Sequence, residues 1–191
     1  MSDAALALVT GATGYIGGRL VPELLDAGYR VRAMARHPER LDGRDWAQRV
    51  EVAAADATNP EDVARALAGV DVAYYLIHAL GSGPTFEQRD RATARRFAVA
   101  AREAGVGRIV YLGGLHPADE TLSPHLESRR EVGDILLASG VPTTVLQAAV
   151  ILGSGSASFE MMRYLTERLP AMVAPRWINN RIQPIAVRDV L

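Results

Sequence analysis

"VTGATGYIGG", residues 9–18, sets four glycines and two threonines between an apolar run and an amphipathic one. Gly11, Gly14 and Gly17 are three apart, directly after what reads as a buried strand and at the mouth of what reads as a helix. That strand-loop-helix context gives a glycine pattern its meaning, because the turn needs positive φ or close backbone approach at its glycines. The N-terminus of the following helix then offers backbone N–H groups and a partial positive charge to a pyrophosphate. Dinucleotide binding is the leading expectation, with Thr13, Tyr15 and Ile16 as further loop candidates. The competing reading is a tight strand-to-helix turn and nothing more.

Outward from this loop, apolar runs at residues 5–9, 31–35, 50–54, 72–77, 108–112 and 143–148 alternate with stretches of helical period. The predicted helices are 15–27, stopped by Gly28; one capped at Asn59-Pro60 and ending at Gly69; 85–104, stopped by Gly105; and one from Ser123-Pro124 to Ser139, stopped by Gly140. Pro22 removes a donor inside the first helix and crowds the Gly18 carbonyl, so a slight kink is expected there. Continuous apolar strands separated by helices imply a parallel sheet covered on both faces. The expected fold class is therefore α/β, a Rossmann-type doubly wound sheet.

Length and composition agree with one domain. The 191 residues are 49% hydrophobic and 23% charged, with a formal net charge of -1. That balance gives no reason to expect nucleic acid or an anionic membrane as partner, and a small-molecule ligand is expected instead. There is no cysteine, and His37, His78, His116 and His125 show no ligand spacing, so no metal site is expected. No leader or membrane span is legible at the N-terminus, which makes the cytoplasm the expected location. The expected organisation is a single domain over 1–191, its core at 1–149. The stretch 151–191 begins a substrate-side segment: a Gly/Ser loop at 153–158, a helix at 159–168 and a strand-like 181–187. Asp189 looks like a helix cap with no helix after it, so the sequence is expected to be a piece of a longer protein.

Specificity is sought at the second strand. Sites that take NAD commonly place an acid at its end, where it accepts from the ribose 2′-hydroxyl. Here the strand ends in Arg36, and a guanidinium suits the 2′-phosphate of NADP instead. Arg40 adds charge from the next turn, so NADP(H) is expected in preference to NAD(H); an ordinary exposed strand-end arginine is the alternative. Asp56, followed by Ala57, has two roles open: meeting the adenine amino group or organising the turn into the next helix. His78, after the fourth strand, either faces the cofactor or is a hydrogen-bonded strand-end histidine. The mixed charges on helix 85–104 read as a solvated face or a subunit contact. The polar stretch 113–124 reads as a substrate loop or an ordinary connection. Met161, Met162, Tyr164 and Leu165 read as an apolar pocket lining or as core.

"TGATGYIGG", the Arg36 strand end, "DAT" at Asp56 and the Leu112–Gly114 strand end resemble the atypical and extended short-chain dehydrogenase/reductases, especially NmrA-like NAD(P)H-binding proteins. The stretch "SFEMMRYLTERLPAMVAPRW" and the "IQPIAVRDVL" after it look like bacterial proteins often labelled nucleoside-diphosphate-sugar epimerases, some of which continue into a C-terminal domain. The resemblance implies an oxidoreductase using NAD(P)H on a small organic substrate, either as a homodimer or together with its own C-terminal domain. Active members generally carry a serine or threonine after the fifth strand and a Tyr-x-x-x-Lys pair on the next helix. Here Gly113 and Gly114 stand at the hydroxyl position, and "SPHLESRREVG" offers His125 and Arg129 in place of the pair. These two share a helix face and are the candidate catalytic residues; two surface residues on an amphipathic helix is the other reading. The functions carried forward are an NADP(H)-dependent oxidoreductase, a non-catalytic sensor of the NADP+/NADPH ratio and, third, a sugar-nucleotide epimerase.

Overall fold

The computed structural model describes residues 4–78, 84–116, 122–169 and 183–191. They fall into two compact units, one through Gln147 and one from Ala148.

The first unit holds six strands, β1 (Leu6–Thr10), β2 (Arg30–Ala35), β3 (Glu51–Ala54), β4 (Val72–Tyr75), β5 (Arg108–Gly114) and β6 (Thr143–Ala148), in the order β3-β2-β1-β4-β5-β6. The pairs β1–β2, β1–β4, β2–β3 and β4–β5 are parallel. This is the doubly wound Rossmann-type sheet that the alternation of apolar runs and helices implied. Every residue of β1 is buried, as a strand covered on both faces must be. Leu6 and Leu8 join the core beneath α2 (Pro60–Leu67), α3 (Pro84–Glu103) and α4 (Pro124–Leu137). Ala7 and Val9 alternate to the other face, where Leu20, Val21 and Leu24 of α1 (Gly17–Asp26) are buried.

Local chemistry sets the element ends. Asn59 caps α2 through its side chain, which accepts from the Glu61 N–H at 3.0 Å, with Pro60 at the first helical position. Ser123 caps α4 in the same way toward Leu126. Gly28, Gly69, Gly105 and Gly140 all take positive φ where sequence reading set them as helix stops.

Three boundaries differ from expectation. Helix α1 begins at Gly17 rather than Tyr15, because Tyr15 and Ile16 belong to the glycine turn and Ile16 is the N-cap. Strand β4 ends at Tyr75 rather than at residue 77, because the Leu76 N–H donates to Thr10 Oγ1 (2.9 Å) and leaves the ladder. Thr10 Oγ1 in turn donates to the Tyr74 carbonyl at 3.0 Å, so one buried hydroxyl stitches β1 to β4 where they part. Helix α1 runs on through Pro22, and the Gly18 carbonyl that Pro22 cannot serve accepts from the Trp46 indole at 3.0 Å.

The second unit contains β7 (Val150–Leu152) paired in parallel with β8 (Pro184–Ala186), α5 (Ala157–Arg168) and a short α6 (Val187–Val190). The expected strand at 181–187 shrinks to β8; its first two residues lie outside the described residues. Asp189 is not a cap: it sits inside α6, whose N-cap is Ala186. Met161, Met162, Tyr164 and Leu165 are exposed on α5, which removes the core reading for them. Among the described residues no helix is long and apolar enough to cross a membrane.

Candidate functional site

The glycine turn is tightly wound. Gly11 has φ +67°, and the Gly14 N–H donates back to the Gly11 carbonyl at 2.8 Å. A Cβ on Gly17 would stand 2.4 Å from the Gly11 oxygen, and one on Gly11 would meet the Leu76 carbonyl at 3.2 Å. Backbone therefore fills the space that side chains would need, and the turn brings its N–H groups to the first turn of α1. Helix N-termini carry N–H groups with no intrahelical partner, so this turn fits a pyrophosphate.

A cavity of about 310 Å³ opens beside it, at the carboxyl ends of the strands. Gly11 and Thr13 line it from the loop after β1, Arg36 from just after β2, Asp56 and Ala57 from the loop after β3, and His78 from the segment after β4. Thus six of the eleven residues read as cofactor-binding share one wall, at the crevice where doubly wound sheets hold ligands. Gly14, Tyr15, Ile16 and Gly17 shape the adjoining turn without lining the cavity. Arg40 sits exposed in the 3-10 turn Pro38–Leu41 and also lies off the wall.

Asp56 does organise its turn. Its Oδ1 accepts from both the N–H and the hydroxyl of Thr58 at 2.8 Å, and its own N–H donates to Asp62. These bonds from Thr58, joined by the nearby Arg36 charge, hold the Asp56 carboxyl below its ordinary value. His78 is pulled below the usual histidine range by burial first and then by Arg129, so its neutral form is favoured.

Two contributors were missed by sequence reading. Arg44 donates to the Thr13 carbonyl at 3.4 Å, bringing another guanidinium to the glycine turn. On α3, Arg89, Asp90 and Thr93 line the cavity, so this helix is not simply a solvated face. Asp90 is 8% exposed and accepts from the 1%-exposed Ser128 hydroxyl of α4 at 3.2 Å. The signal was present in the sequence. Phe86, Asp90, Thr93, Ala94, Phe97 and Ala101 form the buried stripe of α3, and a carboxylate within such a stripe needs a partner.

The catalytic candidates are arranged differently. Arg129 Nε donates to His125 Nε2 at 3.2 Å, which makes that ring nitrogen an acceptor. Burial and then Arg129 hold His125 below the ordinary histidine value. Neither residue lines the large cavity; Arg129 instead borders a separate one of about 110 Å³ with Tyr111, Gly113 and Gly114. A side chain at Gly114 would meet the tip of the Leu126 side chain at 2.8 Å, so a serine there would require that side chain to shift. Tyr111 donates to the Arg129 carbonyl, and burial pushes its phenol up to about 12, the wrong direction for a proton donor near neutrality. The 21 lysine-or-arginine positions of the chain are all arginine, so no lysine is present to complete the usual pair. The segment between His116 and Leu122, read as part of a substrate loop, lies outside the described residues.

Residues 11–164 match the model of the NAD(P)H-binding family. The chain belongs to that family. Among curated relatives, it is 34% identical over 120 residues to a 3-beta-hydroxysteroid dehydrogenase of Mycolicibacterium neoaurum, covering 58% of this chain and 32% of that protein. It is 31% identical over 170 residues to the ceramide reductase of Caulobacter vibrioides, covering 86% and 52%. Among solved structures, the Citrobacter sp. triphenylmethane reductase complexed with NADP(H) superposes with a TM-score of 0.68 at 27% identity, over 85% of this chain and 55% of that one. The chain thus spans about half or less of the length of these relatives. The family is NAD(P)H-binding and oxidoreductase-like, its relatives here being named dehydrogenases and reductases.

Proposed function

We propose that this chain is the NADP(H)-binding part of an oxidoreductase that acts on a small organic substrate. Arg36 carries the reading. Its exposed guanidinium ends β2 on the cavity wall, where an NAD site would present a carboxylate. A planar, permanently charged fork fits a 2′-phosphate, and it repels nothing that NADP(H) brings there. The Citrobacter reductase complexed with NADP(H) supports a nicotinamide dinucleotide in this cavity, and the choice of NADP(H) rests on Arg36.

Bound there, the cofactor would supply a hydride at its nicotinamide ring; the chain's own residues hold and orient it. With no lysine and with Gly113 and Gly114 at the hydroxyl position, catalysis would rest on orientation and on an acceptor already activated, such as a quinone or enone. The test is titration with NADPH and NADH, followed by NADPH oxidation with a panel of quinones and carbonyl compounds. Preference for NADPH and turnover with an acceptor are expected. Absence of binding by either dinucleotide at micromolar concentration would overturn the reading.

The glycines at the hydroxyl position favour one second reading, a sensor that binds NADP+ and NADPH unequally and turns over neither. Unequal affinities combined with an empty acceptor screen would select it.

A further inference from the structure

The cavity has two halves. Arg36 and Asp56 come from β2 and β3, on one side of β1, while His78 and Asp90 come from β4 and the helix that follows it, on the other. A dinucleotide lies across such a switch point with one nucleotide over each half. If Arg36 takes the 2′-phosphate, the adenosine lies over β2 and β3, and the second ribose falls to the half that carries Asp90.

Asp90 suits that ribose. Burial of a carboxylate at 8% exposure is costly, and here it is placed on a cavity wall between two helices and oriented by the Ser128 hydroxyl. An ionised carboxylate only accepts hydrogen bonds, and a ribose diol presents two donors side by side. The same chemistry serves the other ribose in NAD sites, where an acid ends the second strand.

We propose that Asp90, oriented by Ser128, binds the hydroxyls of the nicotinamide-side ribose. This rests on the cofactor reading above and deepens it. Ser128 is a positioning residue; Asp90 touches the cofactor.

The experiment compares two probes by calorimetry on the intact chain. NADPH carries both riboses, whereas adenosine 2′,5′-bisphosphate carries only the adenosine half. Asp90→Asn is expected to weaken NADPH about 10- to 100-fold, the loss typical of a hydrogen bond to a charged group, while the bisphosphate changes less than about twofold. Ser128→Ala is expected to weaken NADPH by about threefold with the same selectivity, and it serves if Asp90→Asn does not fold. Equal losses for both probes, or no loss for either, would overturn the proposal and leave the pair a tie between α3 and α4. Failure of the NADP(H) reading looks different: the unmutated chain then binds neither dinucleotide, which overturns both readings, or prefers NADH, in which case the Asp90 comparison is made with NADH against AMP.

Discussion

The Trp46 indole donates to the Gly18 carbonyl at 3.0 Å, four residues before Pro22 and on the first turn of α1. In an uninterrupted helix that carbonyl would accept from residue 22, whose nitrogen has no hydrogen. Trp46 is 6% exposed, so the bond is buried and spans 28 positions of sequence. It satisfies the carbonyl that proline leaves open and pins the segment after β2 against the glycine turn. Trp46→Phe is expected to destabilise the chain by about 1–3 kcal/mol, the cost of a buried acceptor left without its donor. In a Pro22→Ala background the new N–H can serve Gly18, and the penalty should fall. Urea unfolding of the double-mutant cycle measures this coupling, and additive effects would show that the indole acts through packing alone.

Gly17 and Gly28 bracket α1 and should respond very differently to alanine. A Cβ at Gly17 would lie 2.4 Å from the Gly11 oxygen, against backbone that cannot rotate away. At Gly28, with φ +88°, nothing stands within 4 Å, and only the left-handed backbone is strained. Gly17→Ala is expected to cost about 3 kcal/mol and to abolish NADPH binding by opening the turn. Gly28→Ala should cost about 1–2 kcal/mol and leave binding intact. Urea melts and NADPH fluorescence titration separate the two cases.

Much of this was legible in the sequence because the signals are local. Strand and helix order followed from hydrophobic period, the helix stops from glycine, and Arg36 from its place at a strand end. Asp56 was ambiguous because a carboxylate has two oxygens; the Thr58 bonds that make the turn both fall on Oδ1, and the residue lines the cavity as well. What remained hidden is long-range. Nothing near Trp46 in sequence points to Gly18, nothing near Thr10 points to Tyr74, and Asp90 meets Ser128 only once α3 and α4 pack. The four-residue spacing of His125 and Arg129 was readable, but which cavity each borders depends on how α4 lies against β5.

Glu51 gives a pH-dependent test of the sheet edge. Its carboxylate accepts from Arg30 at 2.6 Å and from Arg32 at 2.9 and 3.0 Å, and Arg32 also donates to the Ala66 and Ala68 carbonyls at the end of α2. These bonds, Arg30 first, hold its carboxyl below the ordinary 4.5. A folded-state value below the unfolded one contributes stability that is present above the unfolded pKa and is lost as pH falls through the lowered value. Glu51→Gln should therefore lower stability at pH 7, within about 1 kcal/mol because the pair is solvent-screened. The gap should close as the pH drops below 4.5. A gap that persists in acid would assign the effect to packing of the arginine stems.

Arg36 is where cofactor choice is most exposed to test. It lines the same cavity as Asp56, and its charge adds to the Thr58 bonds that hold the Asp56 carboxyl below its ordinary value. Arg36→Asp replaces a donor to phosphate with an acceptor for a hydroxyl and sets a second negative charge beside Asp56. NADPH should lose about 10- to 100-fold in affinity, the range for a charge-assisted bond, and NADH should gain. The ratio of the two dissociation constants, measured by fluorescence titration, is then expected to reverse. Arg36→Ala separates the contributions: loss of NADPH affinity without gain of NADH shows that the guanidinium selects by attraction to phosphate. If the ratio stays fixed in both variants, the 2′-phosphate is held elsewhere, and Arg44, bonded to the Thr13 carbonyl of the glycine turn, becomes the residue to change next.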